Sequence, residues 1–367
     1  NIMIKFFDIY RQDKIFHPIL FKKIKKLFKK GDYILGNEVK EFENNFKNYC
    51  GSKYAVSCGN GTDALTLALK SLNLPKNSEV IIPAMTYCST AFAVINAGLK
   101  PILVDIEKNQ PTISVSKIKK KITNKTKVIM PVHLYGSSAD IRGIKKIIKN
   151  KKIFIVDDCA QAHGAFDDSI NGLKKKIGST TDISCFSLYP GKNLGAYGDA
   201  GIITTNNYEI YRKLKKIRSL GSEKKFIHEF IGSNSRLDTI QAIILNEKIK
   251  YLDKNNNRRK IIALKYSNEI KNSKIIKLEY SKSCVFHQYV ILTKKRYNFI
   301  NYMRKNGIQT GIHYPESINK LKCFLNYFKK QKYSNSEYLA KYCVSLPIDP
   351  NLTKKSLLKI INIINKY

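Results

Sequence analysis

The chain has 367 residues, 43% of them hydrophobic, and carries a formal net charge of +38 at pH 7. That length and apolar content suit one large α/β domain with a smaller companion and exclude a disordered chain. The charge admits nucleic acid, anionic membrane or a phosphorylated small molecule as partner, yet the basic residues are scattered, and the joint excess of Lys, Asn and Ile is what AT-rich coding alone would produce.

The opening stretch "NIMIKFFDIYRQDK" has no signal-peptide h-region or cleavage site, and Asn1-Ile2 before Met3 read as residues added to it. The eight cysteines form no C-x-x-C pair and no framework spacing, so a reducing, cytoplasmic setting is expected. From Lys53 to about Thr205 short β-rich runs alternate with helical patterns, the βαβ signature of a mainly parallel sheet. "KYAVSC" leads into the helix "TDALTLALKSL", "EVIIPAM" into a helix near "STAFAVINAG", and "KPILVD" closes that unit. Val80 to Leu99 lacks charge, but Pro83, Thr86, Ser89, Thr90, Asn96 and Gly98 interrupt it, which argues against a membrane span. "KVIMPVHLYG" precedes the helix "DIRGIKKIIKN", and "KIFIVDD" and "DISCFSL" read as further strands. After Tyr208 the pattern turns helical, and "SRLDTIQAIILNEKIKYLDKNNNRRKIIALKYSNEIK" reads as long amphipathic helix. The tail reads as strand "VFHQYVILT", helix "RYNFINYMRKN", strand "IQTGIHY" and helix "TKKSLLKIINIINKY". The expected division is a large domain over 1–245, with its N-terminal segment packing near the companion, and a small α+β domain over 246–367.

Three motifs carry chemistry. In "SCGNGTDALTLAL" a strand feeds Gly59, Asn60, Gly61 and Thr62 into a helix start, whose free N–H groups and dipole favour an anion. It has neither GK[ST] nor G-x-G-x-x-G, so a single phosphate fits better than ATP or NAD; an ordinary strand-to-helix turn fits as well. "IFIVDDCAQAHGA" delivers Asp157 and Asp158 at a strand end, where a buried acid needs a positive partner, although helix capping or a surface acid also satisfies the pattern. No metal-ligand spacing accompanies these acids, and no metal is expected. In "GKNLGAYGDAG" the glycines around Lys192 allow close backbone approach to a ligand, and a desolvated lysine there becomes a nucleophile able to form a Schiff base. A phosphate cradle, a strand-end aspartate and a loop lysine, in that order, are the parts that a pyridoxal phosphate site requires.

At this point the sequence resembles the DegT/DnrJ/EryC1/StrS sugar aminotransferases. The likeness runs through "GDYILGNEVKEFENNFKNYCGSKYAVSCGNGTDALTLAL", "EVIIPAMTY", "PVHLYG", "DDCAQAHGA", "FSLYPGKNLGAYGDAG", "GSNSRLDTIQAIIL" and "QTGIHYP". It implies the aspartate-aminotransferase (type I) fold, with a large seven-stranded-type sheet, and pyridoxal 5′-phosphate cycling with its pyridoxamine form. It gives Lys192 the covalent link and the proton transfer, and Asp158 the pyridine nitrogen. At about 4 Å and an effective dielectric near 20, that charge pair is worth roughly 4 kcal/mol, or about three pKa units. Gly61, Thr62 and Ser187 are implied phosphate ligands, with Asn234 serving the neighbouring subunit's phosphate in a homodimer. Tyr87 would stack on the ring and Gln161 would meet its 3′-oxygen. Tyr33, Tyr189, Lys225, His313 and Tyr314 match positions near the sugar or nucleotide, while Phe226 stands where many relatives have tyrosine.

The resemblance further implies L-glutamate as donor and a nucleotide-linked keto sugar as acceptor. The lysine argues against the dehydratases of the family, which have histidine there. "SLYPGKNLGAYGDAG" is similar to the subgroup acting at C3 of dTDP-linked 3-keto-6-deoxyhexoses; amination at C4 of a 4-keto-6-deoxy sugar is the alternative. A basic nucleic-acid-binding protein is the remote one, and no helix-turn-helix, RRM or zinc-finger pattern supports it.

Overall fold

The computed structural model describes residues 3–168, 175–224, 226–328 and 331–367. Seven strands form the main sheet: β1 (Tyr54–Cys58), β2 (Glu79–Pro83), β3 (Lys100–Val104), β4 (Thr126–Ile129), β5 (Phe154–Asp158), β6 (Ile183–Ser187) and β7 (Gly201–Thr205), in spatial order β1-β7-β6-β5-β4-β2-β3. Only β7 runs against its neighbours. Helices cover both faces, so central strands are apolar on both sides rather than alternating. Along β2, Val80 and Ile82 join the core under the helix Gly61–Ser71, whereas Ile81 packs with Ile144 and Ile148 on the opposite face. Near β6 and β7 that opposite layer is built from Phe42, Phe46, Phe186 and Leu245. Truncating a fully buried Leu67 or Ile82 to alanine in such a core costs about 2–5 kcal/mol.

A short hairpin, β8 (Ser222–Lys224) with β9 (Ile227–His228), projects from the large unit. The C-terminal unit holds an antiparallel sheet of β10 (Ile276–Lys277), β11 (Tyr289–Leu292) and β12 (Cys343–Leu346), packed on Tyr266, Phe299, Ile360 and Ile364. The N-terminal segment reaches this unit, since Ile4 bridges Ile308.

Two expectations need correction. The long helix from Ser235 onward is two helices, Thr239–Lys248 and Leu252–Glu269, separated by a 3₁₀ turn at Ile249–Tyr251. The first is buried nearly all round, including Asn246, Glu247 and Lys248; the second has a single buried stripe, so the turn re-aims the chain between two environments. Position 246 thus lies inside a helix. "IQTGIHY" is not a strand: Ile308 and Gly311 each make one bridge, to Ile4 and Ser345, and no neighbour runs alongside long enough to form a ladder. Among the described residues no helix is long and apolar enough to cross a membrane, and all eight cysteines are free thiols.

Candidate active site

The carboxyl ends of parallel strands in an open α/β sheet leave a crevice where loops diverge. Here β1, β2, β5 and β6 end around a cavity of about 880 Å³, lined on that side by Asn60 to Asp63, Tyr87, Asp158, Gln161, Ser187 and Lys192.

Lys192 is half-buried at the cavity floor, and desolvation pulls its ammonium pKa down to about 8 although Asp158 opposes the shift. At pH 7 a drop from 10.5 to about 8 raises the neutral amine fraction about 300-fold. Asp158, 5% exposed, accepts a hydrogen bond from Thr90 Oγ1 at 2.8 Å and one from the Ala160 N–H at 3.1 Å. Burial nevertheless pushes its pKa up, since two neutral donors do not replace the lost water. A cation entering the cavity beside it would reverse that.

Above β1, the helix Gly61–Ser71 starts at Asn60, whose side chain caps the Asp63 N–H at 2.8 Å. Gly61 and Thr62, at the start of that helix, line the cavity together with Ser89 and Ser187; Thr62 Oγ1 lies 2.7 Å from Ser89 Oγ. A Cβ on residue 61 would meet Ser187 Cβ at 2.5 Å, so only glycine lets this loop close against β6.

Gln161 is oriented by both ends. Its Oε1 accepts the Tyr135 N–H at 2.6 Å and its Nε2 donates to the Tyr314 hydroxyl at 2.9 Å. The Tyr87 and Tyr314 rings lie 5.2 Å apart, and Tyr189 lines the mouth, half exposed. His313 shares a hydrogen bond with Ser345 Oγ at 2.8 Å, stacks on Phe6, and is held near pKa 4 by burial.

Asp157 points to the other face of β5, where Thr181 Oγ1 donates to it at 2.8 Å. His133 and Cys159 gather there too, an assembly that sequence spacing did not foretell. The His133 Nδ1 accepts the Ala139 N–H at 3.0 Å, which leaves the proton on Nε2, 3.5 Å from Asp157 Oδ2. Nε2 makes no hydrogen bond in this geometry, so the two groups form a buried polar contact behind the site.

Of the remaining sequence-derived residues, Tyr33 does not line this cavity, and Lys225 lies outside the described residues. Asn234 also stands apart from it, bridged to Ser219. Sequence reasoning missed Thr90, whose hydroxyl helps hold Asp158, and the C-terminal wall of Arg259, His287, Gln288 and Asp349. No motif links these positions; only the fold brings them together.

The fit to a phosphorylated pyridine aldehyde is specific. There is a helix-start cup for the phosphate, an under-compensated buried carboxylate for the ring nitrogen, and a desolvated lysine for the aldehyde. The fold and site are those of a type I pyridoxal-phosphate aminotransferase. Comparison with known proteins narrows this: the model of the DegT/DnrJ/EryC1/StrS aminotransferase family matches residues 18–365, and the chain belongs to that family. It is 40% identical over 367 residues, covering 100% of this chain and 99% of the relative, to dTDP-3-amino-3,6-dideoxy-alpha-D-galactopyranose transaminase of Aneurinibacillus thermoaerophilus. It is 36% identical, over 94% of this chain and 92% of the relative, to UDP-N-acetyl-3-dehydro-alpha-D-glucosamine 3-aminotransferase of Acidithiobacillus ferrooxidans. Among solved structures, DesV of S. venezuelae superposes with a TM-score of 0.96 at 32% identity, covering 100% of this chain and 98% of that one. The NtdA structure from Bacillus subtilis, with bound pyridoxamine phosphate, has a TM-score of 0.90 at 28% identity, covering 99% and 84%.

Proposed function

We propose that the protein transfers the amino group of L-glutamate to the C3 keto group of a dTDP-linked 3-keto-6-deoxyhexose, giving a dTDP-3-amino-3,6-dideoxyhexose. What supports the substrate is the 40% identity over the full length to a transaminase named for a dTDP-3-amino-3,6-dideoxy sugar. What supports the chemistry is a neutral-prone Lys192 in one cavity with Asp158 and the helix start at Gly61.

Pyridoxal phosphate, when bound, supplies an electron-withdrawing ring that acidifies the donor's Cα–H and stores the amino group between half-reactions. The protein's residues would do the rest. Gly61 and Thr62 N–H groups with the Thr62 and Ser187 hydroxyls hold the phosphate, and Asp158 holds the ring nitrogen protonated. Tyr87 covers one ring face, and Gln161 steadies the ring oxygen together with Tyr314. Lys192 Nζ accepts the proton lost from the donor's Cα and later returns one on the acceptor side; neutrality near pH 8 makes it a competent base. Tyr33, Tyr189, Lys225 and His313 are proposed for the sugar and its nucleotide.

We also infer a homodimer that shares its sites. On the hairpin and just beyond it Phe226, Ile227, Phe230 and Ile231 are exposed, Ile231 completely, and a second copy would cover them. Asn234 follows on the same segment, as expected of a residue serving the partner's phosphate. The test is incubation with L-glutamate and, separately, 3-keto and 4-keto dTDP-sugars and a UDP-linked 3-keto sugar, with products identified by mass spectrometry and NMR. A C3-amino dTDP-sugar is expected. Amination of only the 4-keto compound overturns the regiochemistry, and amination of only the UDP-sugar overturns the nucleotide.

A further inference from the structure

The donor's far carboxylate needs a cation, and the C-terminal wall of the cavity contains one. Arg259, on the helix Leu252–Glu269, is 2% exposed yet lines the same cavity as Lys192. Its Nη1 donates to the Ile348 carbonyl at 2.7 Å, and its Nε has no acceptor among the described residues. The acid nearest in influence is Asp349, whose carboxylate instead accepts the backbone N–H groups of Asp8 at 3.4 Å and Asn351 at 2.7 Å. Burial lowers the guanidinium pKa to about 10, so it stays charged at neutral pH without a contacting counter-ion. A buried cation that Asp349 offsets only from a distance is costly, and a structural role at one carbonyl does not require a charge. A carboxylate would match the guanidinium fork with two acceptors.

Position selects which carboxylate. Arg259 lines the C-terminal wall of this cavity of about 880 Å³ and Lys192 lines its floor, so a donor that reaches both must span from one to the other. A donor whose nitrogen takes the place of the Lys192 amine has its α-carboxylate two bonds away and its side-chain carboxylate four bonds away. We propose that Arg259 clamps the side-chain carboxylate of a dicarboxylic amino donor, and thereby selects glutamate over monocarboxylic amino acids. This rests on the aminotransferase reading above.

The experiment uses cofactor-loaded enzyme and follows the cofactor's absorbance in the first half-reaction with L-glutamate and with L-alanine, for wild type, Arg259→Met and Arg259→Lys. In parallel, calorimetry measures glutarate binding. In Arg259→Met the apparent glutamate affinity should fall roughly 100-fold and glutarate binding should vanish, as expected for a lost charge-assisted pair. Alanine should be unchanged, and Arg259→Lys should recover part of the loss. The second half-reaction, amine-form enzyme with keto sugar, should change less than about threefold, and melting curves verify folding. Equal loss for alanine and glutamate, or unchanged glutamate affinity in folded Arg259→Met, overturns the clamp. If wild type ignores glutamate, the donor reading fails instead, and Arg259-dependent glutarate binding still decides the clamp.

Discussion

The floor and the C-terminal wall of the cavity are built on different plans. The floor takes Asn60, Asp158, Ser187 and Lys192 from strand ends and the loops directly after them, on a sheet packed from both faces. The wall takes Arg259, His287, Tyr314 and Asp349 from a helix and separate loops around a three-stranded sheet. A rigid sheet suits fixed chemistry on a small cofactor, and a wall of separate pieces suits variation in substrate. The comparison teaches that floor substitutions should damage every turnover, whereas wall substitutions should discriminate between substrates.

The largest break is expected at Lys192→Ala. Removing the amine that serves as nucleophile and base should lower kcat with any donor or acceptor by roughly 10⁴-fold, with the melting temperature maintained. Comparable turnover in stopped assays would mean that the floor does not do the chemistry.

Next comes Asp158→Asn. The amide still accepts from Thr90, so folding should survive, but the charge pairing worth roughly 4 kcal/mol is lost, and kcat should drop by about 10³-fold for all substrates. A selective loss for one sugar in steady-state kinetics would place Asp158 with the wall.

Gly61→Ala should act more mildly. The new Cβ presses on Ser187 at 2.5 Å, and an overpacking cost of 1–3 kcal/mol should weaken cofactor binding by roughly 10- to 100-fold in equilibrium dialysis. Unchanged affinity would remove the helix start from the phosphate cup.

The smallest effect is one of pH. Because burial lowers the folded pKa of Lys192, the unfolded chain binds more protons than the folded one between about pH 8 and 10.5. Stability lost to burying this amine is therefore fully lost below about pH 8 and is regained as pH rises toward 10.5. In kinetics, the rate at which cofactor-free protein takes up the aldehyde should rise through pH 8 and then level off. A rate still climbing tenfold per unit at pH 9.5 would indicate an ordinary exposed lysine.

The same contrast explains what the sequence disclosed. Each floor motif is local: an apolar strand, then a glycine, acid or lysine within a few residues, as at Asp158 and Lys192. The wall leaves no such trace. Arg259 sits in "NNNRRKII", where nothing in composition separates it from Arg258 or Lys260; only its place on the stripe Leu252, Asn256, Arg259, Ile262, Ala263 and Tyr266 marks it as buried. Thr90 holds Asp158 across 68 positions of sequence, a pairing no spacing rule reaches. The expected strand near Gly311 failed for a related reason, since β-propensity does not reveal whether a partner strand is at hand.

The most direct measurement is borohydride reduction of the cofactor-loaded protein, followed by proteolysis and peptide mass mapping. The account predicts one pyridoxyl phosphate adduct per chain, on the peptide carrying Lys192. A predominant adduct on any other lysine, or none at all, would contradict it.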